Sequence, residues 1–305
     1  MVKRIIDSHA HIGDVFHENK NITFKTNIKK GDYEDPFVEC EQSGYTKPLI
    51  PDTPKKLEEL IHAGQYRVWE WTLENLTKEL DEHPEVRGVI MLPIWPNQTF
   101  EEYLAASLLE PRIIPFTTCV LDMPAKDLVG KLRKDIDRGA KGLKLHPTIQ
   151  NVPLDDPRVE AAVKLFGEAD LPVLTHCGDN PYYTDDSPWG KVTTPAFSAF
   201  PKVVEFCRKW KDVKIIVAHC CTIVDELFEA TRGLTRVYTD TTTCSAAMMQ
   251  KGVELMGEDK ILFGTDVPFG SFRYSLAELY KAFGDRPDTL DKVEYANMAA
   301  LIHSI

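Results

Sequence analysis

The chain has 305 residues, 43% hydrophobic and 27% charged, ordinary values for a globular protein long enough to bury a sizeable core without disulfides or structural metals. Its 36 Lys+Arg against 47 Asp+Glu leave a formal charge of −11, which excludes a protein that coats nucleic acid or anionic lipid through a basic face. A small anionic substrate held by a local cation stays compatible with that balance. The seven cysteines (Cys40, Cys119, Cys177, Cys207, Cys220, Cys221 and Cys244) are odd in number and include no C-x-x-C pair. They read as free thiols of a reducing compartment, not as a disulfide framework. Met1–Asp7 runs straight into strand-like sequence without the apolar core of a signal peptide, and no uninterrupted apolar run approaches the ~20 residues of a membrane span. The expectation is a cytoplasmic protein that acts on a small molecule, with neither nucleic acid nor membrane as partner.

In chain order, short β-branched runs alternate with longer amphipathic stretches. Strands are expected at Arg4–Ile12, Val86–Ile94, Arg112–Cys119, Lys141–His146, Pro172–Cys177, Lys214–Cys220, Val237–Thr242 and Ile261–Asp266. Helices are expected at Pro124–Arg138, at Asp156–Asp170 with Asp156 as N-cap, and at Phe200–Lys211, Ile223–Arg232, Ala246–Met256, Tyr274–Phe283 and Thr289–His303. Repeated strand–helix alternation is the mark of an α/β fold with a parallel sheet, and eight units fit a closed (β/α)8 TIM barrel in one domain over residues 1–305. An open doubly wound sheet is the alternative. It lacks support from a phosphate-binding turn, since neither G-x-G-x-x-G nor G-x-x-x-x-G-K-[ST] occurs.

Gly13–Glu85 breaks this rhythm, being far longer than an ordinary connection. Its first half is polar; its second half reads as helical from Thr53-Pro54 onward. Trp69, Leu73, Leu76 and Leu80 fall on one helical face, which predicts that Trp69 buries against the barrel while Trp71 faces the site or a second subunit. Loops that follow barrel strands build the active-site mouth, so the segment is read as an insertion after strand 1 that covers that mouth, with Phe16, His17 and the polar stretch to Lys30 at substrate entry.

The histidines are not scattered. His9 and His11 end the first strand, His146 the fourth, His176 and His219 lie near the ends of the fifth and sixth, and Asp266 ends the eighth. Residues two apart share a strand face, so Asp7, His9 and His11 point one way, as do Gly142, Lys144 and His146. If that face is the interior, these groups meet at the carboxyl-terminal mouth, where imidazole and carboxylate together suit a divalent metal with one open position.

These residues sit in motifs that resemble the amidohydrolase superfamily over the whole chain: I-I-D-S-H-A-H-I-G at the start, G-L-K-L-H-P at 142–147, T-H-C-G at 175–178, V-A-H-C at 217–220, F-G-T-D-V-P at 263–268 and N-M-A-A-L-I near the end. The similarity is to the amidohydrolase-related branch that includes aminocarboxymuconate semialdehyde decarboxylase and the γ-resorcylate-type decarboxylases. The resemblance implies one divalent ion, zinc or another such as manganese, held by His9, His11, His176 and Asp266, with His219 as base or polarising group and Asp266 also catalytic. It implies a homodimer. Lys144 and His146 are either supports of the mouth or part of a second-metal site bridged by a carbamylated lysine. Arg273, Tyr182 and Trp189 are candidates for substrate contact, with Tyr183 beside them. The first-loop sequence Gly13–Gly64 holds no arginine to anchor a carboxylate; Arg67 lies beyond it. On that ground the expectation is a metal-dependent hydrolase of an amide, ester or lactone. A non-oxidative decarboxylase of a small unsaturated or aromatic acid is the alternative, and a non-catalytic metal-binding barrel a third.

Overall fold

The β-branched runs pair as parallel strands because each is followed by an amphipathic helix that carries the chain back over the sheet. A computed structural model describes residues 4–17, 31, 34–187 and 190–304. Nine strand segments occur among them: β1 (Ile5–Ala10), β2 (Val86–Met91), β3 (Ile113–Pro115), β4 (Thr117–Thr118), β5 (Leu143–Leu145), β6 (Val173–Thr175), β7 (Ile215–Val217), β8 (Val237–Asp240) and β9 (Ile261–Leu262). All neighbouring pairs are parallel, in the orders β1-β2-β3 and β4 through β9.

β3 and β4 are one run that changes partner at Phe116. The Phe116 amide bonds Met91 O, and the Thr117 amide bonds Gly142 O. The approach to β5 is close: a Cβ at Gly142 would sit 2.3 Å from the Phe116 ring, so only glycine admits that ring there. The other seam closes through Ser8 N to Phe263 O (2.8 Å), Asp266 N to His9 O (2.8 Å) and His11 N to Val267 O (2.9 Å). The chain is a TIM barrel.

Ile6, Ile90, Phe116, Leu174, Ile216 and Leu262 form one core cluster. Ile5, Val89, Met91 and Ile113 belong to another, shared with α3 (Leu73–Glu82), α10 (Ala246–Met256) and α11 (Phe272–Phe283). The helices start where the chemistry dictates. Asp156 caps α7 (Pro157–Glu168) by accepting from the Arg158 amide, and Thr53 caps α2 (Pro54–Glu70) by accepting from Lys56 N. Thr99 and Glu102 make a reciprocal capping box at α4 (Phe100–Leu109).

Two helical expectations are corrected. The stripe from Trp69 to Leu80 is not one helix: α2 ends at Glu70, and Thr72 caps a new helix, α3 (Leu73–Glu82), by accepting from Asn75 N at 3.3 Å. The face therefore resets. It is Trp71 that packs with Leu73 on the barrel core, while Trp69 is half-buried beside Tyr66 with ring centroids 6.3 Å apart. The closing helix Thr289–His303 is three pieces, α12 (Pro287–Asp291), a π-helical turn over Lys292–Ala296 and α13 (Asn297–Leu301). Asn297 Nδ2 donates to Glu258 O and Ile261 O, pinning that widened turn to the start of β9.

All seven cysteines are buried and free of disulfides. No helix among the described residues is long and apolar enough to cross a membrane.

Candidate metal centre

The strands end one to four residues earlier than their sequence patterns suggest, and the chemistry sits in the residues just past the ladder. His146 caps the short helix α6 (Pro147–Gln150), while His219 and Asp266 take left-handed backbone angles, φ 65° and 59°. Such angles are costly for residues with a side chain and occur where function over-determines the backbone.

His9, His219 and Asp266 each present one donor atom within 4.8 Å of the other two. His9 Nε2 lies 3.4 Å and His11 Nε2 3.6 Å from Asp266 Oδ1. Both rings are oriented from behind: His9 Nδ1 is 2.8 Å from Asp240 Oδ2, and His11 Nδ1 is 2.9 Å from the Leu92 carbonyl. An acceptor behind each Nδ1 fixes the proton there and leaves the Nε2 lone pair aimed at the centre, the arrangement of metal-ligating histidines.

His219 is held the same way. The Thr242 hydroxyl donates to Asp240 Oδ1 (2.8 Å) and so accepts from His219 Nδ1 (2.7 Å), while the His219 amide also reaches Asp240 Oδ1. His176 stands further round, 4.9 Å from His219 by ring centroid, with its Nε2 2.7 Å from the Tyr182 hydroxyl. His146 stacks on His176 at 4.1 Å, but its Nδ1 accepts from the Ile149 amide. Its proton is then on Nε2, which makes His146 a donor and a support. Lys144 Nζ is buried 3.4 Å from His9 Nε2.

Burial drives His9, His11, His146 and His176 well below the usual imidazole range, with Lys144 adding to it at His9, and brings His219 down to about 3. Burial also lifts Asp266 well above the carboxylate range, and lowers the Lys144 ammonium to about 8 against the pull of Asp266 and Asp240. Neutral imidazoles around a buried carboxylate short of counter-charge form a donor set that a divalent cation satisfies.

The remaining candidates divide. Tyr182 lines the cavity over the centre, stacked on Phe16 with centroids 5.7 Å apart. Tyr183 donates to Phe16 O and is part of the wall's frame. Arg273 is exposed on α11 (Phe272–Phe283) with its guanidinium over Tyr274, outside the cavity lining, so it is not placed to touch a substrate there. Arg67 does not substitute for it: Nε bonds Asp35 and Nη1 the Pro268 carbonyl, clasping α2 to the loop after β9. Trp189 and the stretch from Asn19 to Lys30 lie outside the described residues. Asp7 departs from the expected facing. Its carboxylate takes the amides of His9 and Thr265 and the Thr265 hydroxyl, because the pairing register shifts between Asp7 and Ala10.

Sequence reasoning missed Asp240 and Thr242. Asp240 is fully buried and touches both His9 and His219, and its place at the end of β8 was the available signal. Replacing Asp240 with alanine is expected to weaken divalent-metal affinity about 10- to 100-fold, the usual loss when a ligand's orienting carboxylate goes, measured by chelator competition.

A sequence model described as amidohydrolase matches residues 6–302. No curated protein matches in a sequence search. Solved structures similar in fold include 2,6-dihydroxybenzoate decarboxylase from Rhizobium (13% identity, 99% of each chain, TM-score 0.63). A 5-carboxyvanillate decarboxylase of Novosphingobium aromaticivorans with bound manganese is similar too (13% identity, 98% of this chain and 97% of that one, TM-score 0.64). So is a probable 2-pyrone-4,6-dicarboxylic acid hydrolase of Acinetobacter baumannii (12% identity, 98% and 99%, TM-score 0.60). A match from the first strand to the last helix, on a barrel whose strand ends gather these imidazoles round Asp266, places the chain in the amidohydrolase family.

Proposed function

We propose that the chain is a divalent-metal-dependent, non-oxidative decarboxylase of a small unsaturated or aromatic acid. The observation that carries this reading is Lys144, whose Nζ lies buried 3.4 Å from His9 Nε2 among the residues that line the cavity over the centre. The expectation of a hydrolase leaned on the absence of an arginine anchor in the first loop; Lys144 removes that objection, because it puts the cation at the floor instead. The similar fold of two decarboxylases, one with bound manganese, supports the same choice.

The residues that would hold one divalent ion are His9, His11, His176 and Asp266; when bound, the ion supplies a Lewis-acid seat for the carboxylate, or for a water whose pKa it lowers to about 7. Lys144 Nζ orients the carboxylate by charge. The apolar walls strip water from it, which favours dispersal of its charge as the carbon–carbon bond breaks. Asp266 delivers a proton to the carbon bearing the carboxylate; the bond pair then returns to the unsaturated system and CO2 leaves. Uptake of one proton and loss of CO2 balance the reaction. His219, its Nε2 lone pair free, bonds a substrate hydroxyl or returns the proton to Asp266.

The second reading, hydrolysis, is favoured by one feature: that same Nε2 lone pair suits a base acting on water. Manganese- or zinc-loaded protein offered a panel of hydroxybenzoates, diene acids, esters and lactones separates the two. The expected result is CO2 release that chelation abolishes. Ester or lactone cleavage with no CO2 from any acid overturns the proposal in favour of the hydrolase.

A further inference from the structure

The metal-centre residues form only the floor of a cavity of about 570 Å³, a volume within the usual range for pockets that bury a drug-sized ligand. A single ring with its carboxylate would leave much of that space empty. The walls above the floor are mainly apolar, with Phe16, Leu57, Ile61, Ile94, Ile149 and Phe269 drawn from the first loop, from α2 and from loops after three strands, and their polar members, such as Asn180 and Thr243, are uncharged. Among the described residues that line the cavity, the formally charged side chains are Asp266 and Lys144 at the floor and Lys47 at the rim. Lys47 is exposed and paired with Glu39 at 2.6 Å, so it is not a free counter-ion for a buried ligand.

From this asymmetry we infer that the enzyme selects a substrate with one polar, reacting end and an extended, uncharged, apolar body, such as an aryl or alkyl-aryl monoacid. The inference rests on the reading of the floor as the reacting end. A second carboxylate at the far end of the substrate would be desolvated against Ile61 and Phe269 with no cation among the described wall residues to meet it, a large penalty. An added methylene in the same place gains instead, because it leaves water for contact with apolar side chains.

The test is equilibrium binding to the metal-loaded protein by calorimetry, which needs no turnover. The probes are 4-methyl-, 4-propyl- and 4-pentylbenzoate against terephthalate, whose second carboxylate replaces the methyl group. Affinity is expected to rise about threefold to fivefold per methylene. Terephthalate is expected to bind at least about 100-fold more weakly than 4-methylbenzoate. Leu57→Lys, a substitution at a half-buried position of α2, is expected to narrow that gap at least tenfold by supplying a cation at the wall. Terephthalate binding as tightly as 4-methylbenzoate, or no gain along the alkyl series, overturns the inference. A parallel series of 4-alkylacetophenones keeps the two readings apart. If the ketones gain per methylene while no benzoate binds, the carboxylate seat falls and the apolar wall stands; if neither series binds, the wall falls too.

Discussion

Alanine at both His9 and His11 should leave the purified protein with less than about a tenth of the wild-type metal content, measured by mass spectrometry of the metal after loading and desalting. The two Nε2 atoms converge on one oxygen, Asp266 Oδ1, at 3.4 and 3.6 Å. Each ring is locked from behind by its own acceptor, so its Nε2 stays aimed at that oxygen. With both gone, the remaining proposed ligands are His176 and Asp266, too few for the four-coordinate site that imidazole and carboxylate usually build. The change also leaves Asp240 Oδ2 and the Leu92 carbonyl without their donors in a buried place, at about 1–3 kcal/mol each. Circular dichroism and a melting curve therefore accompany the measurement. His11→Ala alone is the milder variant, disturbing only the Leu92 carbonyl. A folded double variant that keeps stoichiometric zinc or manganese would move the centre away from β1 and sink the assignment.

The parts of this site that show in the sequence are those that depend on strand periodicity. His9 and His11 are two apart, and Asp266 follows the last strand of an eight-strand alternation, so a barrel brings them together almost by topology alone. What periodicity cannot carry is the residue just past a strand. His219 and Asp266 have left-handed backbones, and Asp7 loses its expected facing where the pairing register shifts. Asp240 hides for a different reason. In Val-Tyr-Thr-Asp-Thr-Thr it reads as the polar end of a strand, and only the fold shows that its two oxygens hold His9 on one side and His219 with Thr242 on the other. The tryptophans of the insertion went wrong through one cap. Thr72 stops α2 and starts α3, and a continuous-looking apolar stripe becomes two faces. Arg273 follows the last strand closely in sequence, yet α11 turns it outward. Sequence neighbours of a catalytic strand end are thus weaker candidates than residues at matching strand ends across the barrel.

His219→Asn is expected to keep at least half of the wild-type metal while turnover of a confirmed substrate falls by about two to four orders of magnitude, the range for loss of a general base or an oxyanion partner. The geometry makes this a sharp choice, because His219 and His176 compete for the same role. One donor atom of His219 lies within 4.8 Å of one from His9 and one from Asp266, whereas His176 offers its Nε2 to the Tyr182 hydroxyl at 2.7 Å. If His176 is the ligand, Tyr182 must release that nitrogen when an ion is bound, a hydrogen-bond exchange of about 1 kcal/mol that a metal–imidazole bond easily offsets. If His219 is the ligand, the hydroxyl can stay. The paired variant His176→Ala resolves the two. It should lose most of the metal, and Tyr182→Phe should bind metal slightly more tightly than wild type, by about two- to tenfold, because the competing hydroxyl is gone. Asparagine at 219 suits the comparison, since its side-chain amide can still donate toward Thr242 Oγ1 while offering the centre no imidazole. Metal lost in His219→Asn and kept in His176→Ala would exchange the two roles, making His219 the fourth ligand and His176 the group that Tyr182 holds ready for proton transfer.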